Sequence, residues 1–276
     1  MNPHTALPTS PISLIRSAWQ HRTLIKEMTK RDVIGRYKGS IMGLGWSFFN
    51  PILMLSVYTF VFSVVFKARW DIVNDDSKFD FAVVLFIGLI IHALFADVIN
   101  RAPGLILNNV NYVKKVVFPL EILPFISMGA ALFHALISLC VLLAAFILLN
   151  GYIHWTSVLI PIVLLPLIFV TLGCAWLLAS LGVFLRDVGQ TISIITTVML
   201  FLAPVFYPMS AIPEKYQAYL LLNPLTFMIE QSRQVLIFGN LPDWDGLAIY
   251  TGISFIVAWS GYWWFQKTRK GFADVV

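Results

Sequence analysis

Four ionisable side chains are set into long apolar stretches of this chain: His92, Asp97, Glu121 and His134. Ionisable groups at membrane depth serve as proton relays or ion sites in ion-driven carriers. Asp97 and Glu121 fall close to the ends of their stretches, where water or the neighbouring Arg101 and Lys115 would neutralise them. We therefore favour paired carboxylates over a proton relay, and we expect His134 to be a hydrogen-bonded core residue rather than a ligand.

Signatures of catalysis are absent from the sequence. It contains no GxSxG, no HExxH, no cluster of His and Cys for a metal, and no pair of buried carboxylates. The run GRYKGS, residues 35–40, only superficially resembles a phosphate-binding loop, because its glycine spacing and residue order differ. Cys140 and Cys174 are isolated, which predicts small core residues and neither a disulfide nor a zinc site. We expect no catalytic residue, metal or cofactor in this chain, so any nucleotide must be hydrolysed by another chain.

Most of this chain is expected to lie in lipid. Hydrophobic residues make up 59% of the sequence and charged residues only 12%, against about 25% charged residues in soluble domains. A membrane-spanning helix needs about 20 mostly apolar residues, and six stretches qualify: about 46–66, 81–100, 120–149, 157–184, 189–207 and 247–265. The sequence predicts an all-α, multi-pass membrane protein with two parts: a cytosolic segment 1–45 that carries an interface helix, and a transmembrane domain 46–276.

The distribution of basic residues predicts which side each loop faces. If both termini lie inside, most Lys and Arg residues fall in the inner segments and most acidic residues fall outside. Short loops rich in Lys and Arg stay on the cytoplasmic side, so we expect both termini in the cytosol. This placement explains the net charge of +5 without a nucleic-acid partner. The segment before the first apolar stretch is too long and too charged for a cleavable signal peptide.

That N-terminal segment also predicts a helix that lies in the membrane plane. Leu14, Ala18, His21, Ile25 and Met28 recur at helical spacing and form one apolar stripe. Basic residues occupy another face, as in helices that turn lysines toward anionic headgroups and sink the apolar stripe into the acyl boundary. We predict an in-plane interface helix over 12–36; the alternative is a solvated basic tether.

The connection between the second and third stretches, residues 101–119, is too polar to span a membrane. Pro103 suits the first turn of a helix, and Leu105, Asn109 and Tyr112 follow at near-helical spacing. This pattern predicts a short cytosolic helix that docks a partner. The alternative is a plain loop with retention charges.

Residues 204–246 form the third unusual region, and four prolines break it: Pro204, Pro208, Pro213 and Pro224. Its apolar pieces are too short to cross a membrane. We predict two short helices that dip into the outer leaflet. Irregular backbone at membrane depth must be satisfied by protein or by a water-filled cavity, so this hairpin should flank a pathway. The alternative is a pair of outer loops with no gating role.

Several runs of residues resemble one membrane-protein family. The signature of the ABC-2 type permeases that export bacterial surface polysaccharides is similar to Arg31, Asp32, Arg36, Tyr37, Lys38, Gly39, Ser40, Leu44, Gly45, Trp46, Asn50 and Pro51. The continuation VYTFVFSVVFK, residues 57–67, looks most like the O-antigen branch. Further matches are Lys114, Lys115, Phe118, Pro119, Glu121, Pro124, Arg186, Asp187, Ile212, Pro213, Asn223, Pro224, Arg233 and Gly239. The matches extend over about residues 29–240 and are specific together, although each alone is weak.

This resemblance implies a fold and a set of partners. The fold is the ABC-2, or type V exporter, fold with six transmembrane helices and a re-entrant outer hairpin between the fifth and sixth. The partners are a second copy of the chain, two copies of a separate ABC ATPase that carries ATP and Mg, and the lipids of the bacterial inner membrane. The implied substrate is a polysaccharide linked to undecaprenyl diphosphate, moved from cytosol to periplasm. Capsular polysaccharide and teichoic acid exporters remain alternatives.

The resemblance also assigns roles to residues. Coupling to the ATPase would involve Pro103, Gly104, Leu105, Asn108, Asn109, Tyr112, Arg186 and Asp187. The lipid diphosphate would meet basic groups at its entrance, which are suited to phosphate, namely Arg31, Arg36, Tyr37 and Lys38; inner-side retention explains these charges equally without a substrate. The outer gate hairpin would include Tyr207, Pro208, Pro213, Asn223, Pro224 and Arg233. Channel aromatics that could contact sugars are Phe48, Phe49, Tyr58, Phe62, Phe201 and Phe206.

Two other classes of function remain open from the sequence. A secondary carrier driven by an ion gradient would need Asp97 or His134 as its coupling group. A membrane enzyme acting on polyprenyl phosphates would form product without ATP. The pairing expected for Asp97 and Glu121 favours the exporter subunit over the carrier, and the absence of catalytic signatures favours it over the enzyme.

Overall fold

The computed structural model describes residues 9–65, 80–114 and 118–275, and this part of the chain is helical with no β-strand. Its α-helices are α1 Pro11–Gln20, α2 Arg22–Arg36, α3 Trp46–Tyr58, α4 Asp80–Arg101, α5 Val110–Lys114, α6 Leu123–Asn150, α7 Ile160–Phe184, α8 Val188–Leu202, α9 Glu214–Leu220, α10 Pro224–Arg233, α11 Trp244–Thr268 and α12 Phe272–Val275. Two helices continue as π-helix, α3 through Thr59–Val65 and α10 through Gln234–Phe238. The outer charges between residues 67 and 78, and Lys115, lie outside the described residues.

Four helical segments in the described part are long and apolar enough to cross a membrane: Gly43–Phe62, Phe81–Gly104, Leu120–Asn150 and Trp155–Phe184. They match the first four predicted spans. The six-span count stays a prediction, since α8 is apolar but has 15 residues, or about 22 Å, against about 30 Å of hydrocarbon. It ends at Leu202, five residues earlier than expected, because Ala203 precedes a proline and is extended. The longer α11, with 25 residues, occupies the sixth predicted position.

Small residues let the long helices approach closely. A Cβ atom added to Gly261 of α11 would lie 2.0 Å from the carbonyl oxygen of Gly173 in α7, and one added to Gly173 would lie 2.5 Å from the oxygen of Val257. The two backbones are therefore in contact, as is common for helices packed in lipid, where close van der Waals packing replaces the hydrophobic drive. Trp176 of α7 is completely buried and donates a hydrogen bond to the carbonyl of Glu121 at 2.9 Å.

The predicted interface helix is present as two helices, α1 and α2, which meet at His21. The expected orientation of its apolar stripe is wrong. Leu14 is buried in the protein core, and Ile25 and Met28 pack against that core, so the stripe faces protein rather than lipid. The reason is that α2 lies along α6, where Gly129 leaves room for Thr29: a Cβ atom there would lie 2.8 Å from its hydroxyl oxygen.

The apolar side chains that α1 leaves exposed are on another face. Ile12, Ile15 and Trp19 are each more than half exposed. These are the side chains of α1 that are available to the acyl boundary.

The prediction that both cysteines are core residues needs correction for Cys140, which is exposed on α6, whereas Cys174 is half-buried.

Long-range contacts divide the molecule into two ends. At the inner end, Arg269 donates to Glu121 at 2.5 Å and to the carbonyl of Phe118 at 2.8 Å, and the rings of Phe184 and Phe272 are 6.0 Å apart. This end joins the start of α6, the end of α7 and the C-terminal residues. The outer end holds the π-helical ends of α3 and α10 and the start of α4. The names inner and outer follow the predicted orientation.

Candidate functional site

The predicted coupling residues meet at one surface of the inner end. A Cβ atom on Gly182, near the end of α7, would lie 2.2 Å from the carbonyl oxygen of Pro103, and one on Gly189 of α8 would lie 4.0 Å from the Pro103 ring. The connection between α7 and α8 is residues 185–187 and includes Arg186 and Asp187, both exposed. The structure therefore places Pro103 against the two helices that flank this connection. We name Pro103–Lys114 together with Arg186 and Asp187 the coupling surface.

The segment itself is not the single short helix that the sequence predicts. It consists of two 3₁₀ turns, Ala102–Gly104 and Leu107–Asn109, followed by the five-residue α5. Pro103 and Leu105 are buried and hold the segment on the bundle, whereas Asn108 is exposed. Asn109 closes the turn by donating to the carbonyl of Leu105 at 2.8 Å. Short pieces of 3₁₀ helix of this kind are common as connectors between α-helices.

Tyr112 links the coupling surface to the interface helix. Its ring stacks on Phe118 with centroids 4.4 Å apart, and its hydroxyl accepts a hydrogen bond from Arg31 at 2.8 Å. One residue further along α2, Asp32 accepts bonds from Arg101 to both carboxylate oxygens at 2.9 Å. Thus α2 is bonded at two consecutive residues to the end of α4 and to α5.

The carboxylates of the apolar stretches are paired, but not with the predicted partners. Asp97 forms an ion pair with Arg36 of α2 at 2.6 Å, and Glu121 pairs with Arg269. Arg101, the expected partner, is engaged by Asp32. Partner choice is decided by how α2 and the C-terminal residues dock on the bundle, which local sequence does not report.

Two more predicted entrance residues follow α2. The Tyr37 hydroxyl lies 3.4 Å from Nδ1 of His134, and the two rings meet edge to face. Burial raises the pKa of Tyr37, with Arg36 opposing and Asp97 reinforcing the shift, so the phenol is protonated at neutral pH and can donate to His134. Lys38 is exposed.

Two cavities flank the Arg36 side chain. The inner cavity, of about 490 Å³, lies between α2, the end of α4 and the start of α6, with Arg31, Asp32, Arg101 and Ser127 in its wall. The central crevice, of about 430 Å³, lies between α3, α4 and α6 and is lined by the polar side chains of Arg36, Tyr37, Ser47, Asn50, Tyr58, His92, Asp97, His134 and Ser138. Asn50, Ser47 and Ser138 were not predicted as site residues, because a single amide or hydroxyl in an apolar stretch carries no pattern.

The outer hairpin is held by one buried arginine. Arg233 of α10 is completely buried and donates to the carbonyls of Val84 at 3.3 Å and Val205 at 3.1 Å, and to the carboxylate of Glu230 at 2.7 Å. It thereby joins α10 to the start of α4 and to the chain that follows α8. Sequence reasoning placed Arg233 at the gate but could not foresee that it binds backbone carbonyls.

Asn223 and Tyr207 fix the remaining parts of this hairpin. Asn223 caps α10 by accepting from the N–H of Leu225 at 3.0 Å, and its amide donates to the carbonyl of Met199 in α8 at 3.1 Å. Tyr207 donates to the carbonyl of Phe201 at 2.9 Å. Pro213 immediately precedes α9 and Pro224 is the first residue of α10, where a missing backbone N–H leaves no intrahelical bond unmade.

Four of the six predicted channel aromatics form one row at the outer end. Phe62 stacks on Phe206 with centroids 6.3 Å apart, Phe206 stacks on Phe201 at 5.7 Å, and Tyr58 lies 6.4 Å from Phe62. Phe48 and Phe49 are separate from this row and are exposed on the inner half of α3.

The residues described by the structure contain no group of three or more His, Cys, Asp and Glu that could hold a metal ion. The polar groups of the inner end are instead arginines, carboxylates and tyrosines that bond to one another across elements. Such an arrangement can bind anionic groups and transmit displacement between helices.

Comparison with known proteins defines the class. The family model of the ABC-2 type transporters matches residues 23–237, and the chain belongs to this family. The family resemblance read from the sequence is thereby confirmed. The chain is a membrane-embedded, multi-pass transport protein.

Individual relatives match almost the whole chain. It is similar to the O-antigen export system permease protein RfbA of Myxococcus xanthus, with 29% identity over 267 residues, 96% of this chain and 100% of the relative. The protein of the same name from Klebsiella pneumoniae is 28% identical over 255 residues, 92% of this chain and 95% of the relative. The polysialic acid transport protein KpsM of Escherichia coli is 23% identical over 264 residues, 93% of this chain and 98% of the relative.

Proposed function

We propose that this chain is the permease subunit of an ATP-driven exporter of O-antigen polysaccharide in the bacterial inner membrane. Two copies form the channel, each with six spans and both termini in the cytosol, and two copies of an ABC ATPase carry ATP and Mg. The substrate is linked to undecaprenyl diphosphate and moves from cytosol to periplasm. Export of capsular polysaccharide is the second candidate, favoured by the similarity to a polysialic acid transport protein, but the identity is lower, 23% against 28–29%.

The observation that carries the proposal is the coupling surface. Force from an ATPase needs a rigid contact point at the inner end, and Pro103 supplies one because its carbonyl lies against α7 where Gly182 has no side chain. Arg186 and Asp187 are exposed beside it. The bonds from Arg31 to Tyr112 and from Asp32 to Arg101 would carry motion of this surface into the interface helix.

If the ATPase acts at the inner end and the substrate moves outward, the remaining site residues also take defined roles. The lipid diphosphate would approach α2 at Arg31, Arg36, Tyr37 and Lys38, although Arg36 already pairs with Asp97, so Arg31 and Lys38 hold the available charge. The polymer would pass the aromatic row. The hairpin α9–α10 would gate the outer end.

The direct test is genetic. Deletion of this chain in its source bacterium should abolish surface O-antigen and leave lipid-linked polymer in the inner membrane, and re-expression should restore export. Loss of capsule with normal O-antigen would instead support the second candidate. Translocation of glycolipid by the purified chain in vesicles, with neither ATPase nor nucleotide, would refute the proposal.

A second test addresses coupling. Lys114→Glu, on exposed α5, should uncouple ATP hydrolysis from export in the assembled complex while the chain still inserts. Lys215→Glu at the outer end adds the same charge change and serves as the control. Full export by the Lys114 variant would show that the coupling surface is assigned wrongly.

A further inference from the structure

The inner cavity contains two hydrogen-bonding groups that the protein leaves unused. Nη2 of Arg101 donates a hydrogen bond to Asp32, but Nη1 of Arg101 is buried and has no partner among the described residues. Ser127, on α6, is 1% exposed, and its hydroxyl likewise has no partner among them. Both residues line this cavity. Buried polar groups without partners are uncommon and destabilising, so two unbonded donors on residues that line one cavity indicate a ligand that accepts hydrogen bonds.

The charges around the cavity specify the sign of that ligand. Its wall contains the three arginines Arg31, Arg36 and Arg101 and one carboxylate, Asp32. Asp32 is engaged by Arg101, and Arg36 is engaged by Asp97. Arg31 bonds to the hydroxyl of Tyr112 and to no carboxylate of the cavity wall, so its positive charge is left over. A cavity with an excess arginine and two unused donors fits an anion and disfavours a cation.

The position of the cavity indicates which class of anion it binds. Leu123 and Ile126, at the start of the third apolar stretch, form its opposite wall, so it lies where a membrane helix begins. Lipid phosphates lie at this depth. Its volume of about 490 Å³ falls within the usual range for ligand pockets, about 300–1,000 Å³.

We propose that the inner cavity binds a phosphate group of a membrane lipid, held by Arg101 Nη1, Arg31 and the Ser127 hydroxyl. Two sources share this chemistry: the headgroup of an anionic phospholipid, and the diphosphate of a polyprenyl carrier. The second rests on the proposed function, whereas the phosphate site does not. Because the cavity is also lined by Asn109 of the coupling surface, an occupant contacts the interface helix and the coupling surface together.

The first experiment measures anion binding to the purified full-length chain in a neutral detergent. Inorganic pyrophosphate should raise the Tm and bind saturably, beyond chloride at equal ionic strength. Ser127→Ala and Arg101→Lys, which keeps the charge opposite Asp32, should each weaken binding at least about tenfold, because each removes a donor to a charged group. Ser260→Ala is the matched control, since that serine lies on α11, outside both cavities, and already donates to the carbonyl of Val257 at 2.9 Å.

The second experiment identifies the source of the phosphate. Displacement of pyrophosphate by phosphatidylglycerol but not by phosphatidylcholine would assign the site to anionic phospholipid. Stronger displacement by undecaprenyl diphosphate would assign it to the carrier. No effect of pyrophosphate beyond chloride, or wild-type affinity in both the Ser127 and the Arg101 variant, would overturn the proposal. Binding is measured without export, so a failure of the O-antigen assignment in the deletion strain leaves this result independent.

Discussion

Around α2 at the inner end and in α10 at the outer end, this protein uses arginine in opposite ways. At the inner end, Arg36 and Arg101 are about one-third exposed and pair with carboxylates on other helices. At the outer end, Arg233 is completely buried and binds two backbone carbonyls as well as Glu230. Ion pairs that are partly exposed in this way can separate and re-form at little cost because water replaces the lost partner. A buried arginine that satisfies main-chain carbonyls cannot be released without leaving those carbonyls unpaired.

This difference matches the work proposed for each end. The inner end must respond to an ATPase, so weak and exchangeable links between α2, α4 and α5 suit it. The outer end must keep a defined shape when the channel is closed, and Arg233 holds the start of α4, the chain after α8 and α10 at fixed distances. The completely buried Arg233 therefore lies far from the predicted site of energy input.

The largest effect should come from removing the outer arginine. Arg233→Ala leaves the carbonyls of Val84 and Val205 without a partner and creates a cavity, so we expect a loss of about 3 kcal/mol or more in stability. Thermal unfolding in detergent measures it, with the exposed Lys215→Ala as control. An unchanged Tm would remove the contrast between the two ends.

The next effect concerns the contact beneath the coupling surface. Gly182→Ala would put a methyl group 2.2 Å from the Pro103 carbonyl oxygen, so α7 and this segment must separate. We expect a loss of about 2 kcal/mol and reduced coupling between ATP hydrolysis and export.

Gly252→Ala is the matched control for this prediction. Gly252 lies in α11 with no atom within 4 Å of an added Cβ, so alanine there should be neutral or stabilise by up to about 1 kcal/mol. If both variants behave alike, the close contact at Gly182 has no mechanical role.

A smaller effect is expected from the inner ion pairs. Asp97→Asn removes a partly exposed pair with Arg36, which is worth about 1 kcal/mol or less, and the loss should shrink as salt is added. A double-mutant cycle with Arg36→Gln measures the coupling. Export by Asp97→Asn and by His134→Ala should be largely retained; abolished export in both would support an ion-coupled carrier instead.

The smallest change in stability should come from the outer prolines. Pro213→Ala and Pro224→Ala alter the starts of α9 and α10, where helix propensity is little affected, so we expect shifts within about 0.5 kcal/mol. Their expected consequence is a leak of ions through the closed channel in planar bilayers. Conductance equal to that of the wild type would count against a gate in this hairpin.

Predictability from sequence differed between the two ends for a physical reason. The prolines of the outer hairpin predicted its short helices, because a proline acts on its own backbone and on its immediate neighbours. The ion pairs of the inner end were predicted as pairs but with the wrong partners, since Arg36 and Asp97 are 61 residues apart and Arg269 and Glu121 are 148 apart. Complementary charges can be counted in a sequence, but their distances depend on how the helices dock.

The same limit explains the error in the interface helix. Helical spacing correctly identified which side chains of α1 and α2 share one face, because periodicity is a local property. Whether that face meets lipid or protein depends on α6 lying beside it, with Gly129 opposite Thr29. An apolar stripe looks identical in both situations.

Consecutive residues alone show that this protein lies in lipid, where its first four long apolar helices are and which family it belongs to. Apolar length and short motifs are local properties of the sequence. Tertiary structure alone decided the partners of the charged residues, the row of Tyr58, Phe62, Phe201 and Phe206, the burial of Arg233 and the inner cavity with its two unused donors. Each of these joins residues from helices far apart in the chain, and the geometry between helices is set by packing that no local pattern encodes.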